Sequence, residues 1–360
     1  MSNRHGLGRV LTLVVLCGLG CQHIGPRTIK DDRIPYNEAI AQSWKQQTLL
    51  NLVRLRYGDL PEFVDVSSIV NGYERANVTS GSLGTDILPH RSTDSVIALG
   101  LGGSHSLIDR PTISYAPQGN SEFVRNLTSP LTPLAILNLI ESGAPADVVF
   151  EFTVESINGI RNRGFTGEYQ EGDPEFQTII RTLRRAQDSG LTSFRVKSSP
   201  SDPEQKTLLV IKEADIPEEL QRETKELRQL LKLDQDSREF EIVFGLLPQN
   251  RHEIALRTRN VIRIMNYLSL YVQVPICHLA EGRALDWGEV MATEEPPFTV
   301  YSGCEPPEDC FTSVEYAGHW FWIDHRDFSS KRAMSYLKVL LALVDTQKKD
   351  AAPALMIRAN

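Results

Sequence analysis

Apolar side chains at helical spacing characterise the first half of the chain. Between residues 37 and 57 they recur every three or four positions, a pattern that predicts an amphipathic helix ended by Gly58. The same spacing, bounded by prolines, glycines and capping residues, predicts three further short helices. These cover residues 132–142, 147–162 and 175–189. Residues 36–190 are therefore predicted to form a mainly helical region.

A β-type pattern interrupts this region at residues 63–117. Its flanks have strand character, and residues 71–106 between them are rich in glycine and serine. Ile97, Leu99 and Leu101 alternate with small residues, as in a strand with one apolar face. One interpretation is a hairpin or loop on the folded body. The alternative is a hairpin that joins those of other subunits in an outer-membrane pore, where apolar and small or polar positions alternate.

Strand and helix patterns are mixed from residue 191 to 360. Alternation predicts a hairpin of residues 192–197 with 207–212, and a second hairpin over Ala317 and Gly318. Helical spacing lies between and after these hairpins, and no internal repeat is present. The resulting fold class is α+β: a helical N-terminal half with a Gly/Ser-rich hairpin, then a mixed or antiparallel sheet with helices packed on one face.

Composition excludes some classes of function. The 360 residues are 41% hydrophobic and 23% charged, which is typical of a globular protein, and the formal net charge is -8. An acidic chain is poorly suited to bind nucleic acid. After the first 20 residues, no stretch approaches the roughly 20 apolar residues of a membrane-spanning helix.

The N-terminus has the pattern of an export signal. Arg4 and Arg9 precede an apolar run at residues 10–20 that is too short to span a bilayer. The run ends in Gly20-Cys21, which resembles the lipobox of bacterial lipoproteins, although Gly18 stands where that box usually has leucine. We expect residues 1–20 to be removed and Cys21 to be acylated, with an ordinary cleaved signal as the alternative.

The anchor predicts a location and a domain organisation. Residues 21–35 lack periodicity and are predicted to be a lipid anchor and tether, followed by the helical region 36–190 and the α+β region 191–360. Gln22 is not the aspartate associated with inner-membrane retention in enteric-type bacteria. We therefore expect the periplasmic face of the outer membrane.

The remaining cysteines predict one disulfide. Cys304 and Cys310 are separated by a short acidic, proline-containing turn, and in an oxidising compartment we expect them to pair. The spacing of Cys304 and Cys310 is not that of a zinc site, so no metal site is predicted. No cofactor is predicted either. Cys277 would then be a free thiol, and a nucleophilic pair with His278 is disfavoured because sequence neighbours usually point apart.

Asp324, His325 and Asp327 are the candidate catalytic residues. They lie in a segment rich in aromatic residues, but a strand would place Asp324 and His325 on opposite faces. Capping of the next helix explains Asp327 better. A metal or acid–base site and an aromatic partner-binding patch remain alternatives, and no familiar catalytic or phosphate-binding motif is present.

Five sequence blocks resemble a family of uncharacterised bacterial envelope lipoproteins. They are residues 36–45, 50–57, 109–115, 157–161 and 321–328. The resemblance covers nearly the whole mature chain and implies an envelope lipoprotein without implying an activity. The leading hypothesis is a lipid-anchored, non-catalytic binding or assembly component. Its partners would be other envelope proteins or further copies of the same chain. The alternatives are a pore or secretion component that uses residues 71–106, and a periplasmic enzyme with an unrecognised site.

Overall fold

The computed structural model describes residues 25–85, 97–119, 121–165, 168–199, 202–212, 217–287 and 296–345. The predicted signal peptide and the lipidation site at Cys21 lie outside these residues. The chain divides into two units, Met1–Trp44 with Val64–Pro117 and Lys45–Phe63 with Gln118–Asn360. Among the described residues, no helix combines the length and the hydrophobicity needed to cross a membrane.

The first unit contains the start of a helix and two separate two-stranded ribbons. Its elements are the start of helix α1 (Gly25–Arg56) and strands β1 (Val64–Val70), β2 (Tyr73–Thr85), β3 (Ile97–Asp109) and β4 (Thr112–Pro117). Strand β1 pairs with β4, and β2 pairs with β3 without a break from Tyr73↔Asp109 to Thr85↔Ile97. The 13 residues of β2 give that strand a length of roughly 44 Å. The β-structure predicted within residues 63–117 is confirmed.

Helix α1 corrects the prediction of an irregular tether. It begins at Gly25 and continues through Pro35, so most of the predicted 21–35 tether is helical. Ile29 and Ile34 are 64% and 59% exposed. The N-terminal part of α1 buries no apolar face, and such a segment needs no apolar periodicity, which explains why the sequence pattern did not predict it.

The second unit is built around a six-stranded sheet. The elements from residue 121 to residue 258 are α2 (Ser121–Thr128), α3 (Pro133–Glu141), α4 (Ala146–Thr153), β5 (Val154–Ile157), β6 (Ile160–Arg161), β7 (Gly164–Phe165), β8 (Tyr169–Gln170), α5 (Pro174–Asp188), β9 (Thr192–Ser199), β10 (Asp202–Ile211), α6 (Glu218–Leu230), β11 (Glu239–Phe244) and β12 (Glu253–Thr258). The strand order is β6-β5-β12-β11-β10-β9, with β11 and β12 parallel and the other neighbours antiparallel. The α+β class and the mixed sheet are confirmed.

Two details of the predicted organisation are wrong. The helix predicted over residues 147–162 ends at Thr153, and Val154–Ile157 is a strand that pairs with β12. Because β5 and β6 belong to the same sheet as β9 to β12, the sheet crosses the predicted boundary at residue 190. Pairing with a distant strand decided the conformation of this short β-branched segment, which local periodicity cannot register.

A three-stranded sheet and three helices complete the second unit. Their bounds are α7 (Val261–Ser269), α8 (Ile276–Ala280), β13 (Tyr301–Gly303), β14 (Cys310–Tyr316), β15 (His319–Asp324) and α9 (Phe328–Asp345). Strand β15 lies between β13 and β14. The predicted turn at Ala317 and Gly318 is confirmed, and both residues have positive φ, 51° and 81°. Positive φ at both positions is the mark of a type I′ hairpin turn.

Large aromatic side chains form the core of the second unit. The bulkiest fully buried ones are Tyr267, Phe176, Phe240, Phe298 and Phe321. Leu49, Leu52 and Val53 at the C-terminal end of α1 are fully buried as well, as their helical spacing predicted. Gly58 follows with φ 81°, the left-handed conformation that commonly ends a helix. The end of α1 is thereby fixed in the core.

Candidate functional site

Asp324 and Asp327 make local hydrogen bonds. The Oδ1 atom of Asp324 accepts from the backbone N–H of Arg326 at 2.7 Å. The Oδ1 atom of Asp327 accepts from the backbone N–H of Ser330 at 3.0 Å, which is the N-cap bond of helix α9. His325 is exposed. The capping role of Asp327 is confirmed, and the two carboxylates serve turns in the backbone rather than a shared catalytic centre.

A different group of side chains converges at the start of strand β15. One ligand atom each from Cys277, His278 and His319 lies within 4.8 Å of the other two. The Sγ atom of Cys277 is 3.7 Å from Nε2 of His319. The His278 and His319 rings meet edge to face, with 4.6 Å between centroids. We call these three residues the Cys-His-His cluster.

Local structure explains how the cluster forms. Cys277 and His278 lie on the short helix α8, which Pro275 precedes. The two-residue turn at Ala317 and Gly318 makes His319 the first residue of β15, directly opposite Tyr316. Successive side chains on a helix diverge by only about 100°, so an approaching third group can reach both. His319 is that group, and it joins neighbours that were expected to point apart.

The C-terminal end of helix α1 holds helix α8 in place. The Arg56 guanidinium donates to the carbonyls of Val272 and Leu285, at 3.3 and 2.7 Å, on either side of α8 in the sequence. The Tyr57 hydroxyl and Nδ1 of His278 are hydrogen-bonded at 2.6 Å. His278 is only 3% exposed, so this bond satisfies a polar atom that is shielded from water.

The surroundings of the cluster are aromatic. The Tyr57 ring contacts those of Tyr316 and Phe321, with centroids 5.1 and 6.1 Å apart. Burial raises the pKa of Tyr57 to about 12, so its hydroxyl stays protonated at neutral pH. Burial, reinforced by the nearby His319, lowers the pKa of His278 below its ordinary value. The lowered pKa favours the neutral form of the His278 ring.

The three cluster residues differ in exposure, and their side chains suit two kinds of chemistry. Cys277 is exposed, His319 is partly exposed and His278 is buried. One thiol and two imidazoles form a set that suits zinc or a softer transition metal, and a thiol beside an imidazole is also the start of a nucleophilic pair. Pro275 and the α8 residues Ile276 and Leu279 line a neighbouring cleft of about 560 Å³, which none of the three cluster residues lines. The exposed Cys277 is the member of the cluster that solvent reaches most readily.

Cys304 and Cys310 are free thiols in the structure. Gly303 pairs with Trp320 and Cys310 pairs with Asp324, on opposite edges of β15. Two strand spacings across and four residues along the strand separate the Cα atoms of Gly303 and Cys310 by about 16 Å. A disulfide requires Cα atoms less than about 7 Å apart, and Cys304 is adjacent to Gly303, so this sheet does not bring the two thiols into bonding distance.

A second concentration of perturbed side chains surrounds Glu151. Its carboxylate lies 3.7 Å from the Arg163 guanidinium, and the Tyr267 hydroxyl donates to it at 3.5 Å. Burial raises the pKa of Glu151, while Arg163 and Arg259 oppose the shift. Arg259 is 3% exposed and donates to the carbonyls of Glu151, Phe152 and Arg163. These bonds connect α4 and the residue before β7 to the residue after β12, which gives the network a structural role.

The sequence contained a weak signal for the Cys-His-His cluster. Cys277 and His278 are neighbours in the sequence. His319 begins the aromatic segment whose acids, Asp324 and Asp327, were the catalytic candidates. His319 is 42 residues from Cys277 in the chain. No spacing rule joins ligands across that distance without the fold.

Comparison with known proteins yields no relative. No protein-family model, curated protein or solved structure matches this chain.

Proposed function

We propose that this protein is a lipid-anchored component of the bacterial cell envelope that binds or assembles with other proteins without catalysing a reaction. Acylation at Cys21 would hold it at the periplasmic face of the outer membrane. The export pattern of residues 1–20 and the resemblance to envelope lipoproteins support the location. The ribbons of the first unit support the role in assembly.

The β2–β3 ribbon carries the proposal. Its 13 pairs are uninterrupted, and no third strand joins it among the described residues. A two-stranded ribbon is marginally stable alone in water, and each outer edge offers unpaired N–H and C=O groups. Addition of strands from another chain would satisfy those groups. Backbone pairing of this kind is a common mode of protein assembly.

The neighbouring β1–β4 ribbon supplies apolar contact area. Val64, Val70, Ile113 and Tyr115 are 43%, 49%, 40% and 64% exposed. Because these side chains are already about half-buried, covering one of them with a partner would contribute roughly half of the 1.5–3 kcal/mol of a full burial. The first unit therefore combines unpaired strand edges with exposed apolar side chains, which are the two features that assembly would consume.

Assembly can be tested with matched surface variants of the full-length protein in native membranes. Tyr115→Lys should reduce the amount of complex recovered by crosslinking and native electrophoresis, because it removes an exposed apolar side chain from the ribbon. Leu247→Lys is the control, since Leu247 is equally exposed at 64% but follows β11 in the second unit. Equal effects of the two variants, or a monomeric wild-type protein, would refute the proposed role of the β1–β4 ribbon in assembly.

The anchor needs a separate test. Wild-type protein should incorporate labelled palmitate and fractionate with outer membranes, and Cys21→Ser should lose both properties. Labelling that persists in Cys21→Ser would overturn the proposed anchor while leaving the assembly test intact.

Strand length favours a second candidate function, an oligomeric pore. Strands β2 and β3 have 13 residues each, more than the 9–11 or so that a tilted strand needs to cross a bilayer. In that case purified oligomers should release a dye trapped in lipid vesicles, and a variant in which residues 73–109 are replaced by a short turn should not. Intact vesicles in the presence of stable oligomers would decide for assembly without a pore.

A further inference from the structure

We propose that Cys277, His278 and His319 form a zinc-binding site with three protein ligands and a fourth position open to solvent. This function goes beyond envelope assembly and does not depend on it. The three side chains are of the types that bind zinc most often, and they come from helix α8 and strand β15.

The separation of the ligand atoms fits a bound ion. Zinc lies about 2.3 Å from a thiolate sulfur and about 2.0–2.1 Å from an imidazole nitrogen, so a tetrahedral angle places these atoms about 3.6 Å apart. Sγ of Cys277 and Nε2 of His319 are 3.7 Å apart. The third ligand atom, from His278, lies no more than 4.8 Å from either of them.

The contact with Tyr57 matches the usual support of a zinc ligand. Metal-binding histidines commonly use their second nitrogen in a hydrogen bond that fixes the ring orientation. A 2.6 Å hydrogen bond joins Nδ1 of His278 to the Tyr57 hydroxyl, and in the tautomer in which Nδ1–H donates to the hydroxyl oxygen, the lone pair of Nε2 is left for the metal. The Tyr57 and Phe321 rings pack edge to face, 6.1 Å apart, and lower the dielectric beside the site.

A nucleophilic thiol–imidazole pair explains the geometry less well. In such a pair a third group orients the base through its other ring nitrogen. Nδ1 of His319 is buried and has no hydrogen-bond partner among the described residues, so it lacks the orienting bond that a catalytic base and a zinc ligand would both use. What separates the two is His278, which has no role in a thiol–imidazole pair, whereas zinc uses all three side chains. The exposure of Cys277 leaves room for a water molecule at the fourth position.

The test is zinc binding by the full-length protein purified in detergent and stripped of metal with a chelator. Competition with a chromophoric chelator should give one tightly bound zinc per chain. Cobalt in place of zinc should show a thiolate-to-metal charge-transfer band. Cys277→Ser should abolish that band, and both Cys277→Ser and His319→Gln should lower zinc affinity by more than the roughly 10–100-fold typical of a lost supporting contact.

Two matched substitutions control for surface cysteines and histidines. Cys304 and His325 are exposed and lie outside the cluster, so Cys304→Ser and His325→Gln should bind zinc as tightly as wild type. Circular dichroism and thermal unfolding without metal establish that each variant folds. Unchanged zinc affinity in folded Cys277→Ser and His319→Gln, or no stoichiometric zinc in wild type, would overturn the site. Weakening by Cys304→Ser equal to that by Cys277→Ser would also overturn it.

Discussion

The hydrogen bond between Tyr57 and His278 can be removed with a single atom. Tyr57→Phe deletes the hydroxyl bonded to Nδ1 at 2.6 Å and retains the ring packing against Phe321. A typical intramolecular hydrogen bond contributes about 0.5–1.5 kcal/mol, but a buried group left without a partner costs about 1–3 kcal/mol. His278 is 3% exposed, so the larger range applies. We expect Tyr57→Phe to lower the free energy of unfolding by about 1–3 kcal/mol.

Tyr316→Phe is the matched control. The Tyr316 hydroxyl donates to the carboxylate of Asp59, which is exposed, so water can replace the lost bond. Its loss should cost less than about 1 kcal/mol. Urea unfolding in chelator, followed by the fluorescence of Trp320 and Trp322 in β15, measures both variants. Equal losses in the two variants would refute the assignment of a buried supporting bond to Tyr57. In metal titrations, Tyr57→Phe alone should weaken zinc binding, by roughly 10–100-fold.

Four further predictions concern the fold around the site. Ala317 has φ 51°, and Ala317→Asn should raise the free energy of unfolding by about 0.5–1 kcal/mol, because asparagine tolerates this conformation better; a destabilised variant in urea unfolding would contradict the turn assignment. Asp327→Ala should cost about 1 kcal/mol in the same assay through loss of the helix cap, Asp327→Asn should cost little, and neither should change zinc affinity. Arg259→Ala should lower the free energy of unfolding by about 3 kcal/mol, since it deprives three carbonyls in buried or partly buried hydrogen bonds of a donor at roughly 1 kcal/mol each, whereas Arg257→Ala, at a side chain 48% exposed, should cost under about 1 kcal/mol. Because burial raises the folded-state pKa of Glu151, its contribution to stability should fall as pH rises from about 4.5 through that raised pKa, and the difference in unfolding free energy between wild type and Glu151→Gln should follow this trend; a difference independent of pH would contradict it.

Local patterns predicted the elements that depend on local chemistry. Thr132 and Pro133 marked the start of α3, and the Thr132 hydroxyl accepts from the backbone N–H of Ala135 as expected of an N-cap. Strand Glu239–Phe244 has the predicted bounds, because its alternation reflects one buried face. In contrast, β12 (Glu253–Thr258) was missed, since most of its residues are buried and the alternation that identifies a strand is absent.

The candidate site shows the same division. Capping by Asp327 was predictable because donor and acceptor are three residues apart in the chain. The disulfide was predicted from a short spacing, but the central position of β15 keeps β13 and β14 apart. The candidates Asp324, His325 and Asp327 lie in one segment, whereas the Cys-His-His cluster combines two residues of helix α8 with the first residue of β15.

The sequence by itself determined the export pattern, the acidic globular composition, the α+β class and most of the helices and hairpins. These properties follow from residue type and from spacings of a few residues. The tertiary structure decided the order of strands in the mixed sheet and the meeting of His319 with Cys277 and His278. Contacts between residues far apart in the chain depend on how elements pack, and packing energy is set by shape and burial that no local pattern contains.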